Sequence, residues 1–280
     1  MDARFLTLLR RRGLPHIADE LAALVRPSIW IRTGAGSASL SPAIGASRIG
    51  GTPDFPTVEW PRRNDVPLVF LAQFNLVEVA PHDSEGLLPR AGMLYFFLDE
   101  DDDGMPSGLG EGVNRTIFYN VTNDALTRLD RPASHSPRSV YDPCSIYFGQ
   151  QATLPTWLRY MNLYYEDIHD FNTSEHVQRF PTLRDANPQE REVLKGVLSA
   201  FQSDEAVIYY NRLLGCPDEI QHDLSFGPDQ DLNWRLLFQL DSVDDARMSW
   251  GDCGLLYFLI RQDDLLARDF TRVWLTMQSC

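Results

Sequence analysis

A stretch of strand-like sequence occurs twice in this chain. Residues 67–98 contain PLVFLAQFN, a polar loop and GMLYFFL, and residues 236–260 contain LLFQLD, a polar loop and GLLYFLI. Each copy follows a Gly-x-Pro-Asp element, which ends at Asp54 in the first copy and at Asp218 in the second. Short apolar runs bounded by glycine and proline are typical of buried β-strands. The repetition therefore predicts a duplicated β-sheet unit.

The two copies align residue by residue. Gln73 matches Gln239 inside the first strand, and Tyr95 matches Tyr257 inside the second, with a third apolar strand after each. Two copies with so long a period are too few for a solenoid or a propeller. Residues 132–155 have a loop-like composition, and we expect them to join the two halves.

Helical patterns occupy the remaining segments. Apolar residues at helical spacing predict N-terminal helices over 2–12 and 15–26. Asn187-Pro188-Gln189-Glu190 combines an N-cap, a proline at the first helical position and a capping-box glutamate, and so predicts a helix start; a further start is predicted at Ser203. We expect one α+β domain over 1–280: N-terminal helices, then two pseudo-symmetric antiparallel β-sheet repeats (about 48–130 and about 215–280) separated by a helical insert (about 150–214).

The charge of the chain limits its partners. The formal net charge is −14 at pH 7, and a surface of that sign repels phosphate backbones. We therefore expect no nucleic-acid partner. The same charge fits a basic protein partner, or solubility alone.

The hydrophobic content favours a chain that folds in water. No run approaches the ~20 apolar residues of a membrane helix, and the first residues lack the pattern of a signal peptide. The four cysteines are scattered without a C-x-x-C pair, which predicts reduced thiols and a cytoplasmic location. The oligomeric state is left open.

Several short motifs carry a family resemblance. They are the Gly-Gly-x-Pro-Asp loop at 50–54, Trp60-Pro61, Leu71-Ala-Gln73, the run from Leu214 to Gln221, Leu237-Phe-Gln239-Leu-Asp241, and Trp250-Gly-Asp-Cys-Gly254. From about Arg48 onward the chain resembles the YwqG-like family of uncharacterised bacterial proteins. The resemblance implies a cytoplasmic protein of mixed α+β fold. It implies no activity and no catalytic residues.

Two glutamines lie inside otherwise apolar strands. A buried amide without a hydrogen bond costs about 1–3 kcal/mol, so Gln73 and Gln239 are each expected to satisfy a backbone group of the opposing repeat. The alternative is a polar pocket at the pseudo-twofold axis, in which both amides join Asn75 and Asp241.

Other polar residues occur in only one copy. Gln221-His222-Asp223 is either a proton-transfer site or a solvated turn. Trp250-Gly-Asp252 is either the wall of a ligand pocket or a hairpin turn. The candidate ligand-binding residues are Trp60, Gln73, Asn75, Gln221, His222, Gln239, Asp241, Trp250 and Asp252.

An acidic turn resembles half of a calcium loop. Asp99, Asp101 and Asp103 precede Gly104 with the right spacing, but the twelfth position of the loop is Gly110 instead of glutamate. We therefore expect a solvated hairpin loop and no metal; if calcium bound, these three aspartates would be its ligands.

Common enzyme signatures are absent from the sequence. It contains no Walker A motif, no Gly-x-Gly-x-x-Gly, no Gly-x-Ser-x-Gly and no His-Glu-x-x-His, and we expect no cofactor. Whether the protein is an enzyme is not decided by the residues. The leading interpretation is a binding or interaction module with an acidic surface, including immunity-type neutralisation of a basic protein. The alternative is an enzyme or small-molecule binder that uses a polar cleft between the repeats.

Overall fold

A computed structural model describes residues 4–34, 42–101, 106–107, 110–111, 115–135, 140–159, 175–204, 210–221, 224 and 233–280. The chain divides into two compact units. The first unit consists of Met1–Ser28, Gln151–Ile208 and Gly215–Asp218. The second unit consists of Ile29–Gln150, Tyr209–Leu214 and Glu219–Cys280.

Among the described residues the helices are short, with one exception of 17 residues. They are α1 (Arg4–Arg11), α2 (Pro15–Leu21), α3 (Leu76–Val79), α4 (Thr156–Arg159), α5 (Glu175–Gln178), α6 (Pro181–Arg184), α7 (Pro188–Asp204) and α8 (Gln262–Ala267). Within the part of the chain that the structure describes, none of the helices has the length and apolarity to cross a membrane.

The strands are numbered in chain order. They are β1 (Arg26–Thr33), β2 (Arg48–Ile49), β3 (Asp54–Phe55), β4 (Arg62–Arg63), β5 (Val66–Pro67), β6 (Val69–Asn75), β7 (Met93–Leu98), β8 (Gly110–Glu111), β9 (Arg115–Tyr119), β10 (Thr127–Arg128), β11 (Cys144–Thr153), β12 (Arg212–Leu213), β13 (Trp234–Asp241), β14 (Leu255–Arg261) and β15 (Trp274–Gln278).

The first unit is built on helix packing. Buried side chains of α1, α2 and α7 form its core, among them Phe5, Ile17 and Leu198. The start of α7 is as predicted, because the Asn187 N–H donates to Glu190 Oε2 at 2.9 Å and Asn187 Oδ1 accepts from the Glu190 N–H at 3.0 Å. The predicted helix start at Ser203 is wrong, since α7 continues through Asp204, and residues 205–209 after it lie outside the described residues.

The second unit holds most of a large antiparallel sheet. Its eleven strands lie in the order β8-β15-β14-β13-β12-β1-β11-β2-β6-β7-β9. The expected α+β class is therefore confirmed. In addition, β3 pairs with β10 and β4 pairs with β5 in two small sheets.

The two hairpins that the sequence repeats have matching registers. Gln73 of β6 lies opposite Tyr95 of β7, and Gln239 of β13 lies opposite Tyr257 of β14. The pairing of β6 with β7 shifts between Phe70 and Ala72, and that of β13 with β14 shifts between Leu236 and Phe238. The short strands beside them correspond as well.

Those short strands each begin with a buried arginine. Arg48 of β2 lies opposite Gln73, and Arg212 of β12 lies opposite Gln239. Each arginine is 1% exposed. Arginine is almost never fully buried unless its charge is paired. Both halves of the sheet nevertheless place a buried arginine at the same position, opposite the glutamine.

The large sheet curls so that its two halves face each other. Its edge strands are neighbours in sequence, since β8 ends at Glu111 and β9 begins at Arg115. Four residue steps span at most about 14 Å, so the two edges lie close together. Inside the curl, the rings of Phe96 on β7 and Phe238 on β13 have centroids 4.6 Å apart.

Side chains alternate between the two faces of each half. Phe96 and Phe258 point into the main core inside the curl. Tyr95 belongs to a separate cluster on the outer face, together with Phe55. Tyr257 belongs to the corresponding outer cluster of the second half. The Gly-x-Pro-Asp loop of the first half therefore covers an apolar face that would otherwise meet water.

The prediction of a loop over 132–155 is wrong for its second part. Residues 144–153 form β11, which lies near the middle of the large sheet between β1 and β2. Its burial pattern does not alternate cleanly, so the periodicity of a half-buried strand is missing from its sequence. The predicted helix over 15–26 also ends early, because the chain enters β1 at Arg26.

Candidate functional site

A buried aspartate is the centre of the polar structure in the first half. Asp54 in β3 is fully buried. Arg48 Nη1 donates to Asp54 Oδ2 at 2.7 Å, and Arg128 Nε donates to Asp54 Oδ1 at 2.8 Å. The Gly45 N–H donates to Asp54 Oδ2 at 2.8 Å. One carboxylate thus accepts from two guanidinium groups and a backbone amide.

The local sequence explains how the chain returns from Arg48 to Asp54. Gly50 and Gly51 have φ values of +71° and +76°, which glycine adopts without strain. A Cβ at Gly50 would lie 2.2 Å from the Asp142 carbonyl oxygen, so no larger residue fits there. The turn leaves the Thr52 carbonyl facing Arg48 Nη2, which donates to it.

Gln73 connects this aspartate to the large sheet. Its Oε1 accepts from the Asp54 N–H at 2.8 Å, and its Nε2 donates to the Ala46 carbonyl at 2.8 Å. Tyr95 Oη donates to the Asp54 carbonyl at 2.5 Å. Gln73 therefore satisfies backbone groups of its own half, whereas the sequence predicted a backbone partner in the opposing repeat.

The charges around Asp54 shift its acidity strongly. Burial alone would raise the pKa of Asp54, but the hydrogen bonds from Arg48 and Arg128 outweigh it and lower the pKa from 3.8 to about 2. Burial also lowers the pKa of Arg48, an effect that Asp54 opposes. Burial, together with the Asp54 charge, raises the pKa of Tyr95. The site therefore contains an ionised carboxylate and a neutral phenol.

A pocket of ≈ 340 Å³ lies over this ion pair. This volume is within the range of small-molecule sites in proteins. The residues that line it come from β2 and the Gly-Gly loop, from the connection between β3 and β4, from β6 and from the segment after β9. They are Arg48, Gly51, Thr52, Trp60, Phe70, Arg128, Arg131, His135, Val140, Tyr141, Asp142 and Pro143.

Positive charge predominates in the pocket lining. Three of the lining residues are arginines, and one is an aspartate, Asp142. Asp142 is held by Arg247, whose Nε and Nη2 each donate to it at 2.7 Å. The single negative charge of Asp54 balances the positive charge of only one of its two partners, Arg48 and Arg128. The pocket is therefore cationic, although the whole chain has a net charge of −14.

His135 adds a neutral imidazole to the lining. Burial lowers its pKa, against the opposing effect of the Pro67 carbonyl. Its Nε2 lies 3.3 Å from that carbonyl oxygen, which can only accept, so Nε2 carries the proton and Nδ1 is left as an acceptor. The ring packs edge-on against Trp60 with centroids 5.3 Å apart.

Aromatic side chains form the apolar walls. Trp60 Nε1 donates to the Leu68 carbonyl at 2.7 Å, which fixes the indole ring. Tyr141 Oη donates to Glu100 Oε1 at 2.5 Å, and burial together with that carboxylate raises the pKa of Tyr141. Behind Tyr141, the fully buried Trp250 packs edge-on with ring centroids 5.8 Å apart. The walls are thus held by hydrogen bonds and by the core.

The sequence-predicted site residues are distributed over several environments. Trp60 lines the pocket, and Gln73 binds the aspartate beneath it. Asn75 caps α3 by accepting from the Val77 N–H at 3.1 Å. Trp250 Nε1 donates to the Asp241 carbonyl at 3.1 Å inside the core.

The remaining predicted residues lie elsewhere. Gln239 Nε2 donates to the Tyr210 carbonyl at 2.7 Å. Gln221 is exposed, and its N–H donates to Gln278 Oε1 at 3.0 Å. Asp252 is exposed, and its carbonyl accepts from the Cys280 N–H at 2.9 Å. His222 is outside the described residues.

The acidic turn is only partly described. Asp99 accepts from Arg63 Nη1 at 2.5 Å, Asp101 is exposed, and Asp103 lies outside the described residues. Among the residues whose placement is described, no group of three or more His, Cys, Asp or Glu side chains is arranged to hold a metal ion.

Most of the pocket-lining residues were missed from the sequence. One signal for Arg48 was present, because Arg48 precedes Asp54 by the same interval as Arg212 precedes Asp218 in the second copy. Arg128, Arg131 and His135 carry no comparable signal. They reach the pocket only because β10 pairs with β3, which places Arg128 opposite Asp54.

The fold and the site define an α+β protein with a curled antiparallel sheet and a cationic pocket on its first half. The chain belongs to a family described as a domain of unknown function (DUF1963), which matches residues 47–280. The matched region contains every residue that lines the pocket. No curated protein matches the chain.

Proposed function

We propose that this protein binds a small anionic ligand in the pocket above Asp54. The observation that carries the proposal is the sharing of one buried carboxylate by two arginines, Arg48 and Arg128, beneath a pocket that a third arginine also lines. An anion that entered this pocket would balance positive charge that the lining residues leave in excess. Carboxylates and phosphates fit the geometry of arginine especially well.

The aromatic walls narrow the ligand class further. Trp60, Phe70 and Tyr141 give the pocket apolar surface beside its charge. Small-molecule sites typically combine such walls with a few polar groups that fix orientation. The ligand proposed is therefore a small molecule that carries one acidic group and a flat apolar part.

The test is a thermal-shift titration of the full chain with benzoate, phenyl phosphate and the neutral benzamide. Benzoate and phenyl phosphate are expected to raise Tm, because a ligand that binds only the folded state stabilises it by mass action. Benzamide has the same ring without the charge, and is expected to have little effect. Equal shifts with all three compounds would contradict the proposal.

Two arginine variants provide the matched comparison. R131Q removes a cation from the pocket lining, and R184Q removes an exposed cation that pairs with Asp185 in the first unit. The shift with benzoate is expected to fall by severalfold in R131Q and to stay unchanged in R184Q. If both variants respond like the unmodified chain, the pocket does not bind the anion.

The interaction module remains a second proposal. Its support is the net charge of −14, which favours a basic protein partner and includes immunity-type neutralisation of a basic toxin. A pull-down that recovers no basic partner, together with unchanged toxin sensitivity after deletion of the gene, would count against it.

The evolutionary part of the proposal is that the two halves are copies of one unit. It is supported by the matching registers around Gln73 and Gln239 and by the buried arginine beside each. The kinship with YwqG-like proteins and a cytoplasmic location belong to the same proposal, and rest on the sequence motifs alone.

A further inference from the structure

Two exposed cysteines lie at one end of the β14–β15 ladder. Cys253 precedes β14 and Cys280 follows β15, and both thiols are free and exposed. The other two cysteines, Cys144 and Cys216, are buried. Neither exposed cysteine takes part in the pocket or in the predicted site.

The register of the ladder brings the two residues together. Leu255 of β14 lies opposite Gln278 of β15 in an antiparallel pair. Beyond that pair the chain leaves the ladder, and Cys253 has a φ of +50°. The Cys280 N–H donates to the carbonyl of Asp252 at 2.9 Å, which places Cys280 beside the peptide group that joins Asp252 to Cys253. The Cys280 thiol is also near enough to raise the pKa of the Cys253 thiol.

This arrangement suits a disulfide. The backbone hydrogen bond between Cys280 and the peptide that leads into Cys253 keeps the two Cα atoms close to the roughly 4.4–6.8 Å that disulfides span. The loop that carries Cys253 is fixed, since Trp250 is fully buried and its N–H donates to Ser242 Oγ at 3.1 Å. Both cysteines are therefore presented to solvent from anchored backbone.

We propose that Cys253 and Cys280 form a redox modification site, which closes to an internal disulfide by exchange with a small-molecule disulfide such as oxidised glutathione. The reaction has two steps, in which one cysteine attacks the small disulfide and the other resolves the product. The site is independent of the anion pocket.

Asp252 distinguishes the two sulfurs. Its negative charge, followed by the neighbouring Cys280 thiol, raises the pKa of the Cys253 thiol. Since the thiolate is the nucleophile, Cys253 is the weaker attacking group, and Cys280 takes the first step.

In the first step, the Cys280 thiol gives its proton to solvent and its sulfur attacks one sulfur of the small disulfide. That S–S bond breaks, and the first small thiolate leaves with the electron pair. In the second step, the deprotonated Cys253 sulfur attacks the Cys280 sulfur of the mixed disulfide, and the second small thiolate leaves. The protein loses two electrons and two protons, and the small disulfide is reduced to two thiols.

The experiment incubates the folded full chain with oxidised glutathione, traps free thiols by alkylation, and records intact mass and a non-reducing peptide map. The unmodified chain is expected to lose two hydrogens and to show one peptide pair that joins Cys253 to Cys280. C253S is expected to stop at a mixed disulfide on Cys280. C280S is expected to lose the bridge and to form its mixed disulfide on Cys253 more slowly.

The variant C144S tests whether the buried thiols contribute, and it is expected to form the Cys253–Cys280 bridge at the unmodified rate. Far-ultraviolet circular dichroism under reducing conditions checks that each variant is folded. A stable mixed disulfide on Cys280 in the unmodified chain, or a bridge that involves Cys144 or Cys216, would overturn the proposal.

Discussion

The two halves of the large sheet share a scaffold and differ in what covers it. In each half a buried arginine lies opposite a buried glutamine, which in turn lies opposite a buried tyrosine. In the first half, the segment after β9 adds Arg128, Arg131 and His135 above this row and creates the cationic pocket. In the described part of the second half, the outer cluster includes Trp234, and Trp274 packs against it with ring centroids 6.2 Å apart.

The residues that the two copies share form the buried scaffold, whereas the pocket depends on residues of the first copy. The arginine, glutamine and tyrosine are buried in both halves, and in the first half they bind the loop at Asp54. The residues that give the pocket its charge and its walls belong to the first half. The function proposed for the chain therefore depends mainly on residues that sequence repetition does not identify.

Even aligned glycines serve different purposes in the two halves. Gly92 has a φ of +99°, and a Cβ there would lie 2.5 Å from the Tyr119 carbonyl oxygen. Gly254 has no positive φ, but a Cβ there would lie 1.7 Å from the Trp250 carbonyl oxygen. The first glycine allows a backbone conformation as well as a close approach, whereas the second allows only the approach.

The largest expected effect is that of Asp54→Ala, which removes the carboxylate on which the first half depends. Arg48 would remain buried without this charge partner, and breaking a buried pair costs about 3–5 kcal/mol. Urea unfolding followed by tryptophan fluorescence measures the loss. A cost below about 1 kcal/mol would show that the ion pair does not hold the first half together.

Acid should reveal the same carboxylate without a mutation. Its pKa falls from 3.8 to about 2 on folding, so ionised Asp54 stabilises the fold above about pH 4, and this contribution is lost as the pH falls toward 2. The shift corresponds to about 2 kcal/mol. The difference in unfolding free energy between the unmodified chain and D54N should shrink over that range; a constant difference would contradict the lowered pKa.

Replacement of the two glutamines tests the comparison directly. Gln73→Ala and Gln239→Ala each remove a buried amide with hydrogen-bonded partners, and each is expected to cost about 1–3 kcal/mol of unfolding free energy. Only Q73A should also weaken the benzoate-induced rise in Tm, because Gln73 binds the backbone of Asp54. Equal losses of benzoate binding in both variants would remove the distinction between the halves.

The smallest effect is expected at the exposed ion pair of the pocket. Asp142→Asn weakens the contact with Arg247, whose side chain is 61% exposed, and such pairs contribute about 0–1 kcal/mol. The Tm of D142N should therefore stay close to that of the unmodified chain, while the loss of a negative charge from the lining should strengthen benzoate binding. Weaker binding would contradict the sign of the pocket charge.

The sequence was sufficient to predict the strands that are apolar along most of their length. The strand β7 is the apolar run MLYFFL of the first copy, and β13 contains the run LLFQLD of the second, as the repeat predicts. The strand β11 was missed because its partners lie far away in sequence and its burial does not alternate. Its Gly149 instead accommodates Trp30, whose ring a Cβ would approach to 2.0 Å.

The site was harder to predict from the sequence than the fold, for a physical reason. A turn or a strand follows from neighbouring residues, whereas the pocket needs Arg48 and Arg128 to meet on one carboxylate from separate strands. The composition of the chain pointed in the opposite direction, since a net charge of −14 conceals a local excess of arginine. Only the pairing of β3 with β10 assembles that excess.

The strand order also has a consequence for the sequence of events during synthesis. The strand β1 lies between β11 and β12, so both of its partners emerge from the ribosome long after it does. Likewise β8 pairs with β15, which joins Gly110 to Leu275. Such distant pairings make folding slow, because the entropy cost of closing a long loop comes before the favourable free energy of the strand contacts. The nascent chain therefore needs protection of its apolar strands until nearly all of the residues in this sequence have been made.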